Sequence, residues 1–263
     1  MRQPFANTVV FITGTFLGSN CWDEWRTYFE SKGYKTMAPS WPHKEVPVEE
    51  LRHRHPDAAI SSNRLLAVTE YFASIIGGLP DKPILIGHSL GGLIVQLLLQ
   101  RGLGAAGVAI HSFPPRGLSS YKFSFMKEWW EAMGLFTSPR TTYLMSFSRW
   151  EAVISNGLTA EQQKESYYAY AIPASKRVIR DAFGYGAAIN FSKPHAPLLF
   201  TSGSQDRLIP ASQIYKNYRK YGVSDSIVEY KDFEGQNHLV FAGPLWREEA
   251  VFVFFWLQAV KYL

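Results

Sequence analysis

ILIGHSLGGLIV, residues 84–95, sets a serine between glycines, behind one apolar run and ahead of another. The first run reads as a strand over 83–87 and the second as a helix over 90–101. Between them Gly87-His88-Ser89-Leu90-Gly91 fits G-x-S-x-G in a strand–turn–helix context. So sharp a turn crowds its flanking side chains, and glycine at 87 and 91 relieves that crowding. Ser89 Oγ then stands at the carboxyl edge of a sheet. The helix N-terminus beneath it favours developing negative charge.

Outward from this turn the chain alternates short apolar runs with amphipathic segments. Strands are expected over 8–13, 34–38, 107–111, 197–202 and 226–231. Helices are expected over 22–31, 60–76, 211–221 and 245–262, with a proline-bearing loop through 42–56. That alternation implies right-handed βαβ units and an α/β fold with a mainly parallel, doubly wound sheet of about six strands. Near-continuous apolar strands mean that both faces of the sheet are covered. Residues 114–193 break the alternation and are too long for a simple connection. They contain YKFSFMKEWWEAMGLF and LTAEQQKESYYAYAIP, with Thr159 as helix N-cap and Glu161 and Gln162 in the first turn. This segment reads as a helical cap insert over the sheet edge, between core segments 1–113 and 194–263.

A serine nucleophile needs a base, and the base needs an orienting acid. LLFTSGSQDRLIP runs a strand into a turn that carries Asp206. EGQNHLV places His238 after the next strand. Ser89, Asp206 and His238 therefore follow strand ends, in the order expected for this motif. Asp232 and Glu234 lie too close in sequence to His238 to serve as the acid. The other place where an acid could sit, after the strand ending near His111, holds His111-Ser112. The oxyanion donors expected are the N–H of Leu90 and that of Thr15 in TGTFL, with Phe16 as the rival. His88 is expected to pack at the elbow. No metal is expected: the flanking arginines in RHRHPD (52–57) repel cations, which leaves that stretch a solvated loop.

GHSLGG, GSQDRLIP and GQNHLV together resemble the α/β-hydrolase superfamily over nearly the whole chain. TGTFLGSNCWDEW is similar to the HGxxxGxxxW oxyanion loop of small plant-type esterases and hydroxynitrile lyases, with Thr13 in place of the histidine. The resemblance implies a cap inserted after the strand near His111. It also implies that the sequence begins at the strand usually counted third. The expected activity is serine-dependent cleavage of carboxylic esters through an acyl-enzyme, on small to medium, apolar or aromatic substrates. Phe16, Trp129 and Trp130 are expected to bind substrate, and no cofactor is needed. The same triad also serves thioesterases, lactonases, amidases, carbon–carbon hydrolases, perhydrolases, hydroxynitrile lyases and hydrolase-fold small-molecule receptors.

Composition bounds the rest. The chain has 263 residues, 46% hydrophobic and 15% aromatic, enough for a full core, and aromatics remain to line a cavity. The net charge of +5 is spread without a basic run, which argues against a nucleic-acid partner. Cys21 is the single cysteine and reads as a small buried residue, so no disulfide can form within the chain. There is no signal-peptide pattern and no run long enough to span a bilayer, so a cytoplasmic monomer or homodimer is expected.

Overall fold

The computed structural model describes residues 7–118, 129–134, 137–223, 225–243 and 245–261. Six strands form one sheet: β1 (Thr8–Ile12), β2 (Lys35–Met37), β3 (Ile84–His88), β4 (Ala106–Ile110), β7 (Leu198–Gly203) and β8 (Val228–Phe233). Their order across the sheet is β2-β1-β3-β4-β7-β8, and every neighbouring pair is parallel. The six-stranded parallel sheet expected from the alternation is the one found. The central strands β3, β4 and β7 are buried at every residue, because helices cover both faces. The edge strands differ: VEYKDF in β8 is mostly half-buried or exposed, and KTM in β2 has no buried residue.

The helices that matter for the site are α1 (Asp23–Ser31), α2 (Val48–His53), α3 (Ala58–Ser62), α4 (Leu65–Gly77) and α5 (Leu90–Leu99). All ten residues of α5 are buried against the sheet. The single helix expected over 60–76 is two, because the chain is extended at Asn63 and Arg64 before α4 begins. The expected proline loop contains α2, which begins directly after Pro47, where an N-terminal proline costs no hydrogen bond.

Among the described residues between β4 and β7, none adds a strand to the main sheet. The chain there forms α6 (Phe147–Val153), α7 (Ala160–Tyr170) and α8 (Lys176–Ala182). It also forms a two-stranded antiparallel pair, β5 (Thr142–Tyr143) with β6 (Ala174–Ser175), beside the helices expected there. Most of YKFSFMKEWWEAMGLF lies outside the described residues; residues 129–133 are helical. The chain ends in α9 (Ala211–Lys220), β8 and α10 (Trp246–Val260), whose buried face carries Ala250, Val253, Trp256 and Leu257.

The stretch 52–57 is only in part the solvated loop expected: His53, Arg54 and Pro56 are exposed, but residues 52 and 53 close α2 and the side chains of Arg52, His55 and Asp57 are engaged. Arg52 stacks over the Tyr167 ring at 4.4 Å and donates to the Ala171 carbonyl at 3.1 Å. His55 Nδ1 lies 2.8 Å from Thr142 Oγ1, and Asp57 accepts from Ile60 N–H to cap α3. These contacts fasten the region before α3 to the segment between β4 and β7.

The expected cap of α7 is present as a reciprocal pair. Thr159 Oγ1 accepts from Gln162 N–H at 3.2 Å, and Gln162 Oε1 accepts from Thr159 N–H at 3.1 Å. Replacing Thr159 by alanine should lower stability by about 1 kcal/mol, read as a lower urea midpoint with an unchanged m-value.

Candidate active site

The elbow at Ser89 is set by contacts that leave no room for side chains. A Cβ on Gly91 would lie 2.1 Å from the Ile12 carbonyl oxygen, and one on Gly87 would lie 2.3 Å from the Gly91 carbonyl oxygen. Ser89 itself has φ 56° and ψ −121°, a conformation costly for a side-chain-bearing residue. It is held there by its N–H donating to Ile110 O at 2.9 Å and by its carbonyl accepting from Phe113 N–H at 2.9 Å. The turn is therefore locked to the end of β4 on one side and to β1 on the other.

Asp206 and His238 come together as the sequence order anticipated. His238 Nδ1 donates to Asp206 Oδ2 at 2.7 Å. Asp206 Oδ1 accepts from the N–H groups of Leu208 and Ile209, at 2.9 and 2.8 Å. Burial alone would raise the Asp206 pKa. The neighbouring imidazoles of His238 and His111, with their hydrogen bonds, outweigh it and hold the carboxyl well below the usual carboxylate range. With Nδ1 committed to Asp206, Nε2 is the nitrogen of His238 available to take a proton. The elbow meets this loop directly: His88 Nε2 lies 2.9 Å from the His238 carbonyl oxygen, and the two rings are 4.6 Å apart. His88 is fully buried, as its expected packing role requires. Trp25 Nε1 donates to Val240 O at 3.1 Å and ties the same loop to α1.

The loop after β1 packs on the elbow, where a Cβ on Gly14 would lie 3.0 Å from Ser89 Cβ. Beyond it the chain pairs with the segment that follows α7. Ile172 N–H donates to Phe16 O and Gly18 N–H donates to Tyr170 O, both at 3.0 Å. The Phe16 ring stacks on Trp129 at 5.9 Å, and Trp129 meets Phe113 edge-on at 4.9 Å. Phe113, which the sequence did not single out, thus joins the serine turn to the aromatic cluster. Trp130 parts from its neighbour and is 42% exposed, against 2% for Trp129. Asn156 Nδ2 donates to Gln205 O and Asn237 Nδ2 to Asn156 O, both at 2.9 Å. One residue of the segment between β4 and β7 thereby holds both the Asp206 and the His238 loops.

Three buried ionisable groups were not anticipated. His111 donates from Nδ1 to Asp206 Oδ2 at 2.9 Å, on the oxygen that also serves His238. Glu249, on α10, is fully buried with Oε2 4.0 Å from His111 Nε2. Lys44 is 5% exposed; its ammonium donates to Thr15 O at 2.8 Å and lies 5.1 Å from the Trp41 ring centroid. The sequence WPHKEVP carries no periodicity that would mark Lys44 as buried. His111, Asp206 and His238 are the one group of metal-capable side chains found among the described residues, with ligating atoms all within 4.8 Å of one another. Cys21 is buried and unpaired, and its burial pushes the thiol pKa well up.

The alpha/beta hydrolase family model matches residues 9–249, and the chain belongs to that family. No curated protein sequence matches the chain. Solved structures share its fold at low identity. A methylesterase from Arabidopsis is 17% identical with a TM-score of 0.68, covering 97% of this chain and 99% of its own. A monoacylglycerol lipase from Paleococcus ferrophilus is 19% identical with a TM-score of 0.70, covering 96% and 94%. Tomato methylketone synthase I, complexed with 2-tridecanone, is 16% identical with a TM-score of 0.70, covering 98% and 99%. No helix among the described residues is long and apolar enough to cross a membrane.

Burial lowers the Lys44 pKa to about 7. Between that value and the unfolded value of about 10.4 the unfolded chain binds more protons, so this group makes stability rise with pH. The rise is at most about 1.4 kcal/mol per pH unit. Lys44→Met should remove it: the stability of wild type minus variant, from urea unfolding, should increase from pH 7 to pH 9. Gly91→Ala should cost about 3 kcal/mol by driving a methyl group into β1, read in the same assay.

Proposed function

We propose that the protein is a serine hydrolase of carboxylic esters. The observation that carries this reading is the Asp206–His238 pair, bonded at 2.7 Å, with the His238 loop packed on His88 next to a serine held at φ 56° in a strand–turn–helix elbow. His238 Nε2 takes the Ser89 proton as Oγ attacks the carbonyl carbon. Asp206 keeps the Nδ1–H tautomer and stabilises the imidazolium. The N–H groups of Leu90 and Thr15 receive the oxyanion, with the helix α5 N-terminus adding its field. Collapse of the tetrahedral intermediate expels the alcohol, which takes its proton from His238. His238 then activates water to cleave the acyl-enzyme. The reaction needs no cofactor.

Residues 114–193 act in this reading as a cap, and Phe16 and Trp129 form an aromatic wall with Trp130 at its rim. Such a wall suits an apolar acyl or alcohol group, because aromatic faces favour apolar surface. The ester chemistry named for the methylesterase and the lipase of the same fold agrees with this reading.

Hydrolysis of p-nitrophenyl esters of increasing acyl length tests it. Wild type should turn over continuously, and Ser89→Ala should lose at least ~10³-fold in kcat/KM. Asp206→Asn, which leaves the wrong tautomer, should lose about 10⁴-fold in kcat. Equal rates in wild type and Ser89→Ala would remove Ser89 from the chemistry. A single burst without turnover would instead favour a small-molecule receptor on the same fold.

A further inference from the structure

His111 ends β4 in an unusual way. Its φ is +45°, in the left-handed region that residues other than glycine seldom enter, and its N–H donates to Thr201 O at 2.9 Å. Its ring occupies space kept open by a glycine, since a Cβ on Gly203 would lie 2.7 Å from His111 Cε1. The strained backbone and the cleared space together aim the imidazole at Asp206. One Asp206 oxygen thus receives two imidazole N–H donors, and the other receives two backbone N–H groups. Orienting His238 requires only one of these four.

The far side of His111 is as unusual. Among the described residues, neither its Nε2 nor either Glu249 oxygen has a hydrogen-bond partner, although both side chains are fully buried. Thr201 Oγ1 is near enough to pull the Glu249 carboxyl down, but no hydrogen bond of normal length joins them. An ionised carboxylate cannot stay buried alone. Glu249 is therefore either protonated or faces an imidazolium across the 4.0 Å span. The two descriptions contain the same number of protons and differ only in which residue holds one of them.

We propose that His111 and Glu249 are positioning residues for the Asp206–His238 couple, a second buried imidazole–carboxylate pair that shares one proton and sets how much of the Asp206 charge reaches His238. The proposal takes the Asp206–His238 couple from the hydrolase reading above. With the proton on His111, Asp206 faces an imidazolium and His238 is a weaker base. With the proton on Glu249, neutral His111 still donates from Nδ1, and the full Asp206 charge is available to His238. When His238 gains the Ser89 proton, two imidazoliums on one carboxylate would repel. The His111 Nε2 proton then passes to Glu249. Asp206 stays ionised throughout. The buried cluster goes from a net charge of −1 to 0, as a triad with one acid does.

The surroundings permit both states. Burial pushes the Glu249 carboxyl up, against the pull of His111. Burial works to lower His111, but the bond to Asp206, then the Glu249, Asp206 and Asp232 charges, raise it. The two groups are thus brought toward each other. From β3, His88 is kept neutral by burial and by the His238 and His111 charges, so it adds no cation. From β8, Asp232 is engaged by Ser202, and from α10, Glu248 adds a further negative charge near Glu249.

The test follows the histidine titrations of the full-length protein by NMR with 15N-labelled histidine, which needs no substrate. In wild type, His111 should lose its cationic signature as His238 becomes protonated. A His111 signal that stays unchanged through the His238 titration overturns the proposal. Glu249→Gln cannot be anionic, so His111 should become neutral and the His238 pKa should rise by about one unit. His111→Asn keeps a donor for Asp206 and should give the same rise. The double variant should rise no further, because the pair acts as one unit. An unshifted His238 in folded Glu249→Gln, or fully additive shifts, would reduce the pair to packing. Should His111→Asn fail to fold, the wild-type titration and Glu249→Gln still decide the matter. If esters are hydrolysed, the acid limb of kcat/KM should move up with the same titration. If no ester is turned over while the titrations behave as stated, the hydrolase reading fails and the proton-sharing pair stands.

Discussion

The approach of α5 to β1 governs this molecule. The first turn of the helix sits so close to the Ile12 carbonyl that position 91 has no space for a methyl group, and position 87 is closed in the same way by Gly91. Because the helix cannot withdraw without leaving the buried sheet, the strain is passed to Ser89. The ladder to β4 and Phe113 then holds it there. The Asp206 and His238 loops are thus met by an elbow whose serine the backbone is not free to withdraw.

The second organising element is the Asp206 carboxylate, with all four of its donors supplied by rigid groups. Two backbone N–H groups fix one oxygen and two rings share the other. Such a carboxylate is ionised at any ordinary pH. The loops that bear Asp206 and His238 are themselves joined through Asn156, so the hydrogen-bonded pair depends on the segment between β4 and β7 as well as on the sheet.

Much of this could be read from the chain. The strand–glycine–serine–glycine–helix pattern carries its own geometric reason, and the order of serine, acid and histidine follows from successive strand ends. The central strands were legible because both of their faces are buried, which makes their sequences continuously apolar; the more exposed edge strands KTM and VEYKDF followed from the alternation with helices. The break at Asn63–Arg64 was not legible, since the apolar periodicity runs across it. Neither were β5 and β6, whose two-residue pairing has no local signature. His111 stood in the sequence only as the absence of an acid at its position. Its role depends on a positive φ and on the space at Gly203, and neither is visible in one dimension. Glu249 looks like the polar lead of a helix, and only the packing of α10 shows it turned inward. Lys44 is hidden for a similar reason: its neighbours in space are Trp41 and the Thr15 carbonyl, 29 residues away in the chain.

The bonds joining Phe16 and Gly18 to Ile172 and Tyr170 splice the loop beside the serine to the polypeptide that overlies it. A segment held only by side chains could swing aside and leave the loop beside the serine untouched. Here the two are continuous through backbone pairing, so displacing one deforms the other. On the ester-hydrolase reading proposed above, size selectivity and the alignment of a bound carbonyl would then be a single mechanical property of the chain. On that reading, adaptation to bulkier molecules would proceed by trimming rings such as Phe16 or Trp129, since loosening the paired segments would disturb the loop beside the serine.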